Sequence, residues 1–224
     1  MYRLMLSGLL VLFAVGAAPR PPQPDVHVGD CLLFQYHRDG VLDQIGNVAI
    51  HVLATGDYIT HAAVVIDDHG KPMILESVSD AGVIKSPVQH RIAGYHGNVY
   101  RMRPKRLDKF QIKAMSKFGL RQIGKPYATG NYLPLKAPLS LVPRTYNLDS
   151  HWCSSLVASV YRSAGVVPER VNPAGTDPED LLNWTHAPGR PITGRTFESP
   201  VLIKRYTDGN DATATKTRGR VLFE

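Results

Sequence analysis

The chain has 224 residues, of which 43% are hydrophobic and 20% are charged, and this size and composition suit one globular domain around a single core. The aliphatic content excludes a disordered, collagen-like or low-complexity chain, and two cysteines are too few for a disulfide-rich scaffold or a four-cysteine zinc site. The nine histidines contain no HExxH-like pair, so we expect no metal and no cofactor, whereas the net charge of +7 favours anionic partners.

Residues 1–17 have the pattern of an export signal. Arg3 gives a positive start, and the apolar run Leu4–Ala18 that follows is shorter than the roughly 20 residues of a membrane-spanning helix. Cleavage after Ala17 is favoured, since cleavage one residue later would leave Pro19 first. A buried N-terminal helix is the alternative. We therefore predict an exported protein, periplasmic or secreted, which an uncleaved signal would anchor to the membrane.

The rest of the chain divides into three parts. Residues 18–25 are a proline-rich spacer, residues 26–206 are the folded domain, and residues 207–224, rich in threonine and charge, are a flexible tail. The sequence has no internal repeat. One domain is therefore expected to carry the function.

Strands dominate the first half of the folded domain. An apolar run predicts a strand over Asp30–Tyr36, while Leu42–Leu53 has helix-like spacing. From Thr60 to Ile66 the side chains alternate as in a strand, and Met73–Val78 is a second strand-like run. The turn residues Asp67-Asp68-His69-Gly70 lie between them, which predicts a β-hairpin. Asn98–Arg103 is expected to be another strand.

Two helices follow these strands. Helical spacing predicts a helix over 109–121, with Asp108 as N-cap and Gln111 completing a capping box. A second helix ends at Gly165 and has one apolar face, which comprises Cys153, Leu156, Val157, Val160, Tyr161 and Ala164. Its first turn contains the cysteine.

Cys153 is a candidate nucleophile because of this placement. A thiolate at a helix N-terminus faces unsatisfied N–H groups and the positive end of the helix dipole, both of which lower the pKa of a thiol. The alternative is a small buried core residue, which is common for a lone cysteine.

The predicted hairpin offers this thiol a base. If Asp68-His69 is a two-residue turn, His61 lies directly opposite Glu76, with Cβ atoms about 4.5–5.5 Å apart. A glutamate there can orient the imidazole and stabilise its cation, as a general base serving a thiol requires. A three-residue loop with a bulge at Gly70 would shift this register by one.

Four motifs now stand in order along the chain. They are Thr60-His61-Ala62-Ala63-Val64-Val65, Leu75-Glu76-Ser77-Val78, Gly124-Lys125-Pro126-Tyr127 and Trp152-Cys153-Ser154-Ser155-Leu156-Val157. With them the chain resembles the permuted papain-like hydrolases of the NlpC superfamily, particularly the YiiX/YaeF-like group, over most of Val28–Val167. In the ordinary NlpC order the cysteine helix precedes the histidine strand. Here the histidine and the acid come first, as in the permuted members.

The resemblance implies an α+β fold of the circularly permuted papain-like (NlpC-type) kind, in which an antiparallel sheet packs against the helix carrying the catalytic cysteine. It also implies that Cys153 is the nucleophile, His61 the base and Glu76 the orienting acid, with Tyr127 beside the oxyanion site. A turn tyrosine packed over the helix is the alternative for Tyr127. The family commonly has an acidic residue or glycine where this chain has Ser155.

Two other residues compete for roles in this site. His151 lies two residues before Cys153, but neighbours at that spacing point apart and no acid is placed to orient it. Cys31, in an apolar strand, is expected to be a core residue, and a disulfide to Cys153 is the alternative in an exported protein.

Two further segments bear on the surroundings of the site. Lys109, Lys113, Lys117 and Arg121 form a basic stripe opposite the apolar face of their helix, which is expected to be solvated or to bind an anionic surface. The stretch Gly130–Ser150 is long and proline-containing, and we predict that it forms a wall or lid over the site.

We therefore predict a cysteine hydrolase that cleaves an amide bond, peptide, isopeptide or acyl-amide, through a Cys-His-Glu triad and an acyl-enzyme. The expected substrate is an amide- or ester-containing molecule such as a cell-wall peptide or an acylated molecule. One alternative is an acyltransferase or esterase acting on lipid or lipidated substrates, and another is a non-catalytic module that binds an anionic polymer. The export signal argues against a specific nucleic-acid partner.

Overall fold

The computed structural model describes residues 24–36, 59–128, 148–186 and 196–205. Six antiparallel strands form one sheet, and they are β1 Cys31–Tyr36, β2 Ile59–Asp68, β3 Lys71–Val78, β4 Gly82–Pro87, β5 Gly97–Met102 and β6 Val201–Lys204. Their order across the sheet is β4-β3-β2-β1-β5-β6. The helices are α1 Val88–Ala93, α2 Lys109–Leu120, α3 Cys153–Ser163 and α4 Pro178–His186, with a 3₁₀ turn at Pro173–Gly175.

The sheet is buried on both faces, as alternate residues of β2 show. Ala62, Val64 and Ile66 lie in the core cluster that the sheet forms with α2, α3 and α4. Ala63 and Val65 lie in a second apolar cluster on the opposite face, together with residues of α1. The helix that begins with the cysteine thus packs directly on the sheet.

The predicted hairpin of β2 and β3 is confirmed, but its turn differs from the predicted one. His69 and Gly70 form the loop, with φ of 53° and 80°, and pairing begins at Asp68 with Lys71. Positive φ at both loop residues is the type I′ conformation, whose twist matches that of the flanking strands. Because Gly70 adopts positive φ without a steric penalty, the turn centres one residue later than the sequence analysis placed it.

This turn makes the predicted register wrong. The pairing of Val64 with Leu75 aligns Glu76 with Ala63, so that His61 and Glu76 are diagonal neighbours instead of directly opposed residues. The register differs from the predicted one by two residues, and a shift of two keeps both side chains on one face. Diagonal neighbours are still within reach of long side chains.

The two predicted helices are confirmed, together with the residues that limit them. The Asp108 carboxylate accepts the N–H groups of Phe110 and Gln111 at 2.7 and 2.8 Å, and the Gln111 side chain accepts the Asp108 N–H at 3.1 Å. Past the end of α3, Gly165 has φ 66°. Its N–H and that of Val166 return to carbonyls of the last turn at 3.0 Å, which is a Schellman motif.

The predicted strands over Asp30–Tyr36 and Asn98–Arg103 correspond to β1 and β5. Four elements, β4, α1, α4 and β6, were not predicted from the sequence. Residues 1–17, the helix-like Leu42–Leu53 and most of Gly130–Ser150 lie outside the described residues. None of the helices within the described ranges has the length and hydrophobicity that a membrane crossing requires.

Candidate active site

Cys153 is the first residue of α3 and is 3% exposed. The backbone N–H groups of Ser154 and Ala62 donate to its sulfur. Ser154 Oγ and Trp152 Nε1 both donate to the carbonyl of Thr176, at 2.8 and 3.1 Å. The hydrogen bonds to Thr176 therefore fix the start of the helix against the segment that follows it. The two N–H groups direct their dipoles at the thiol.

His61 projects from β2 to the same sulfur. Its ring is hydrogen-bonded to Cys153, and its Nε2 lies 2.8 Å from Glu76 Oε2. Because Nε2 is bonded to Glu76, Nδ1 is the ring nitrogen that remains for the cysteine. The structure therefore brings together Cys153, His61 and Glu76, the three residues that the sequence analysis singled out.

Glu76 is completely buried, and it has a partner that the sequence analysis missed. Arg91 of α1 donates to both carboxylate oxygens, from Nε to Oε1 at 2.7 Å and from Nη2 to Oε2 at 2.9 Å. One signal pointed to such a residue: a buried carboxylate has more acceptor sites than one imidazole can satisfy. No periodicity identified Arg91, since it lies in a six-residue helix.

The three groups shift one another toward their charged forms. Burial raises the pKa of the Cys153 thiol, but the His61 hydrogen bond and charge and the two N–H donors outweigh burial and lower it. Burial alone would lower the pKa of His61, but its contacts with Cys153 and Glu76 raise it to about 9. The pKa of Glu76, which burial would raise, is held at about 2 by His61 and Arg91. At neutral pH these directions favour a thiolate–imidazolium pair beside a carboxylate.

Tyr127 packs against an apolar cluster of Ala128, Trp152 and Ala174, and Trp152 directly precedes the cysteine. Its strand-like segment forms a parallel bridge with His151, and the neighbouring Lys125 carbonyl accepts the Val83 N–H at 2.8 Å. Gly82 permits this approach, because a Cβ there would lie 2.2 Å from the Lys125 oxygen. Burial and the charge of Cys153 raise the pKa of Tyr127, so its phenol stays protonated and able to donate.

His151 has a different setting from His61. Its Nε2 lies 3.2 Å from Gln122 Oε1, and burial together with nearby Lys125 lowers its pKa to about 4. Its backbone carbonyl accepts the Ser77 hydroxyl at 2.6 Å. The residue therefore stays neutral and links the start of the cysteine helix to β3.

Cys31 is a core residue of β1, paired with Val64 on one side and Met102 on the other. Burial, Asp30 and the Cys153 charge raise the pKa of its thiol. Both cysteines are free thiols, so the structure contradicts the alternative disulfide between Cys31 and Cys153.

The predicted basic stripe lies on the exposed side of α2, and Phe110 beside it is 71% exposed. We call these residues the basic face: Lys109, Lys113, Lys117 and Arg121. The described part of the chain contains no group of three or more His, Cys, Asp or Glu residues able to hold a metal ion.

Comparison with known proteins identifies the family. The model of the family described as "Permuted papain-like amidase enzyme, YaeF/YiiX, C92 family" matches residues 25–175. A similar solved structure, the crystal structure of metalloprotein yiiX from Escherichia coli O157:H7, has a TM-score of 0.44 and 22% sequence identity, and the match covers 79% of this chain and 88% of that one. No curated protein matches the chain. Because the family model spans more than half of the sequence, the chain belongs to the YaeF/YiiX family of permuted papain-like amidases.

Proposed function

We propose that this member of an amidase family is a cysteine hydrolase that cleaves an amide bond, with Cys153 as nucleophile, His61 as acid–base and Glu76 as the orienting carboxylate. One observation carries the proposal: a continuous hydrogen-bonded series runs from the Cys153 sulfur through His61 to the buried Glu76. Each member of the series has its pKa moved toward the ionised form, as a nucleophilic thiol and its base require.

The reaction follows from this arrangement in two halves. The Cys153 thiolate attacks the carbonyl carbon and forms a C–S bond, while the carbonyl oxygen becomes an oxyanion. The C–N bond then breaks, and the His61 imidazolium gives its proton to the departing nitrogen, which leaves a thioester. In the second half His61 takes a proton from water, the hydroxide attacks the thioester, and the C–S bond breaks to release a carboxylic acid and the thiolate.

Two kinds of donor are available to the oxyanion. The N–H groups of Ala62 and Ser154 donate to the sulfur in the resting state, and the protonated phenol of Tyr127 is near enough to Cys153 for the charge of the cysteine to raise its pKa. Preformed donors of this kind stabilise the charge that develops on the carbonyl oxygen. We propose that Tyr127 is one of them.

The fold supports a circularly permuted NlpC-type arrangement and a place in the NlpC superfamily. The strands that carry His61 and Glu76 precede the helix that begins with Cys153, which is the order that the resemblance implied. The antiparallel sheet packs against that helix, so the base reaches the thiol from the sheet.

The substrate class and location are further parts of this proposal. A cell-wall peptide or an acylated molecule suits an exported, basic protein, and residues 1–17 have the sequence of an export signal. An acceptor other than water would resolve the same thioester by acyl transfer. Ester substrates fit the same mechanism, with an alcohol as leaving group.

A substrate panel tests the proposal directly. The purified protein is incubated with a cell-wall peptide, an isopeptide, an N-acyl amide and an ester, and products are measured by mass spectrometry. We expect at least one amide to be cleaved by the wild type and by Cys31→Ala, and not by Cys153→Ala. Equal cleavage by wild type and Cys153→Ala would contradict the proposal.

The basic face of α2 favours a second function, the binding of an anionic polymer or surface. Its four cations are exposed, and such a surface attracts polyanions in a salt-dependent way. Charge reversal of Lys109, Lys113 and Lys117 is expected to abolish binding to anionic vesicles or polymers and to leave Cys153 chemistry intact. If charge reversal alone removes the biological effect, the binding function replaces the enzymatic one.

A further inference from the structure

The two oxygens of Glu76 are shared unequally between its two charged partners, and Ser86 Oγ also donates to Oε1, at 3.4 Å. His61 contacts Oε2 alone, whereas Arg91 contacts both oxygens through two parallel N–H donors. A guanidinium fork fixes the plane of a carboxylate as well as its charge. The orientation of Glu76 toward His61 therefore depends on Arg91.

Arg91 and His61 both pack against the ring of Phe34. The guanidinium carbon of Arg91 lies 4.7 Å from the ring centroid of Phe34, and the His61 ring centroid lies 5.4 Å from it. Tyr95 packs edge-on to Phe34 at 4.9 Å, and Arg91 also lies over Tyr95 at 5.4 Å. The side chain of Arg91 is thus held in place by two aromatic rings as well as by its hydrogen bonds to Glu76.

The helix that carries Arg91 is hydrogen-bonded to strand β6. The Lys204 ammonium of β6 donates to the carbonyls of Ile92 and Ala93, each at 2.9 Å, and to that of Tyr95. Helix α1 has six residues, too few to be stable without tertiary contacts. Lys204 lies beyond residues 25–175, the part of the chain that the family model matches.

We propose that Arg91 is a positioning residue for the Cys153–His61–Glu76 series and that Lys204 supports it by fixing the C-terminal end of α1. This inference rests on the proposed function. Arg91 acts through Glu76: its charge and two hydrogen bonds keep the carboxylate ionised and aimed at His61, which in turn keeps the imidazolium and the thiolate paired.

The proposal predicts a defect that appears in acid. An arginine at this distance lowers a carboxyl pKa by about 1–3 units, so without Arg91 the Glu76 carboxylate would begin to take up a proton in moderately acid solution. The imidazolium would then lose its stabilising anion and the Cys153 thiolate its partner. Near neutral pH, Glu76 stays ionised and the defect is small. Partial misfolding would lower the reactivity of Cys153 at both pH values alike.

The experiment measures alkylation of Cys153 by iodoacetamide, with peptide mass mapping, at about pH 4.5 and about pH 7. We expect the ratio of the two rates to fall at least about threefold in Arg91→Met, which corresponds to half a pKa unit. Arg91→Lys, which keeps the charge without the fork, is expected to restore part of the ratio. Arg106→Met, at an exposed arginine, should keep the wild-type ratio.

A double variant shows whether Arg91 acts through Glu76. In the Glu76→Gln background, Arg91→Met is expected to leave the ratio unchanged, because coupled residues are not additive. Lys204→Met should lower the ratio less than Arg91→Met does. Lys105→Met, at an exposed lysine, should not lower the ratio.

The outcomes separate this inference from the proposed function. A wild type in which Cys153 reacts no faster than Cys31 at about pH 7 would overturn the proposed function, and this inference with it. A wild type that reacts as expected, with an unchanged ratio in Arg91→Met, would overturn this inference alone. If Arg91→Met does not fold, wild-type ratios in both Arg91→Lys and Lys204→Met would overturn it.

Discussion

Two buried carboxylates of this protein are each bound by an arginine and each lie near a cysteine, but the two thiols behave in opposite ways. Arg103 donates to both oxygens of Asp30 at 2.8 and 2.9 Å, much as Arg91 binds Glu76. The pKa of Cys31, beside Asp30, is raised by burial and by that negative charge. Cys153 is equally buried, and its pKa is lowered.

The difference lies in what stands between the acid and the thiol. His61 connects Glu76 to Cys153, so the negative charge stabilises an imidazolium that in turn stabilises the thiolate. Asp30 bonds instead to Arg103 and to the backbone N–H of His27 at 2.8 Å, which fixes the turn before β1. An acid–arginine pair near a cysteine is therefore not enough to lower the pKa of the thiol. A cation and N–H donors must also contact the sulfur itself, as His61, Ala62 and Ser154 do at Cys153.

The largest expected effect separates the two cysteines. Cys153→Ala should lower turnover of a cleaved amide by at least about 10⁴-fold, because it removes the proposed nucleophile. Cys31→Ala should leave turnover within about twofold and reduce stability, since it removes a buried atom from the core. Turnover assays on both folded variants provide the measurement. A loss in Cys31→Ala equal to that in Cys153→Ala would contradict the assignment.

Removal of the connecting imidazole should make Cys153 resemble Cys31. His61→Ala is expected to lower turnover by roughly 10³-fold or more, because the thiol loses its ion-pair partner and the leaving group its proton donor. The pKa of Cys153 should rise toward that of an ordinary buried thiol. Thiolate absorbance, followed as the pH is raised, measures this shift, and an unchanged titration would argue against the ion pair.

Removal of the charge on Glu76 should have a smaller effect. Glu76→Gln keeps a hydrogen bond to the imidazole but loses the negative charge, so we expect roughly a 10- to 1000-fold loss of turnover. The sign of the pH effect follows from the same charge: the carboxylate helps to raise the His61 pKa to about 9, so the basic limb of activity should move to lower pH. A pH–rate profile that keeps its basic limb would contradict this role.

Tyr127→Phe tests whether the neighbouring phenol belongs to the reactive group. It removes the proposed oxyanion donor and should reduce kcat by up to about 100-fold, the lower end of what such a donor contributes. KM should change little, since the donor acts on developing charge. Steady-state kinetics provide the test, and an unchanged kcat would identify Tyr127 as a packing residue.

The smallest expected effect on activity is at the other acid. Asp30→Asn should leave turnover within about twofold, because Asp30 orients no catalytic group. The free energy of unfolding should fall by about 1–3 kcal/mol, since a buried charge pair with Arg103 is weakened. Denaturant unfolding and turnover, measured on one preparation, give both numbers. A large loss of turnover in a folded variant would remove the contrast between the two acids.

Features set by local chemistry could be predicted from the sequence. The capping box at Asp108 and the C-terminal glycine at Gly165 follow from fixed residue offsets. The candidate residues Cys153, His61 and Glu76 could be identified because each residue type was unusual in its place. Their proximity was predicted correctly even though the register was not, because a two-residue slip preserves the face of a strand.

Features set by tertiary contacts could not be predicted. The loop forms at His69 and Gly70 because a turn with positive φ at both residues matches the twist of the flanking strands. Turn-forming residues in the sequence do not show which pair will adopt this conformation. Arg91 reaches Glu76 from a six-residue helix without a periodic pattern, and Lys204 reaches that helix from a strand more than a hundred residues later. The N–H of Ala62 that donates to the sulfur is a backbone group of the sheet. The type of side chain at that position therefore does not reveal this hydrogen bond.

Activation of Cys153 can be tested by comparing the alkylation rates of the two cysteines in one sample of the wild-type protein. At about pH 6, mass mapping should show Cys153 labelled at least about a hundredfold faster than Cys31, because only Cys153 has its thiolate stabilised by an imidazolium and two N–H donors. Equal labelling rates, or a Cys31–Cys153 disulfide in the purified protein, would contradict the claim that Cys153 is an activated nucleophile.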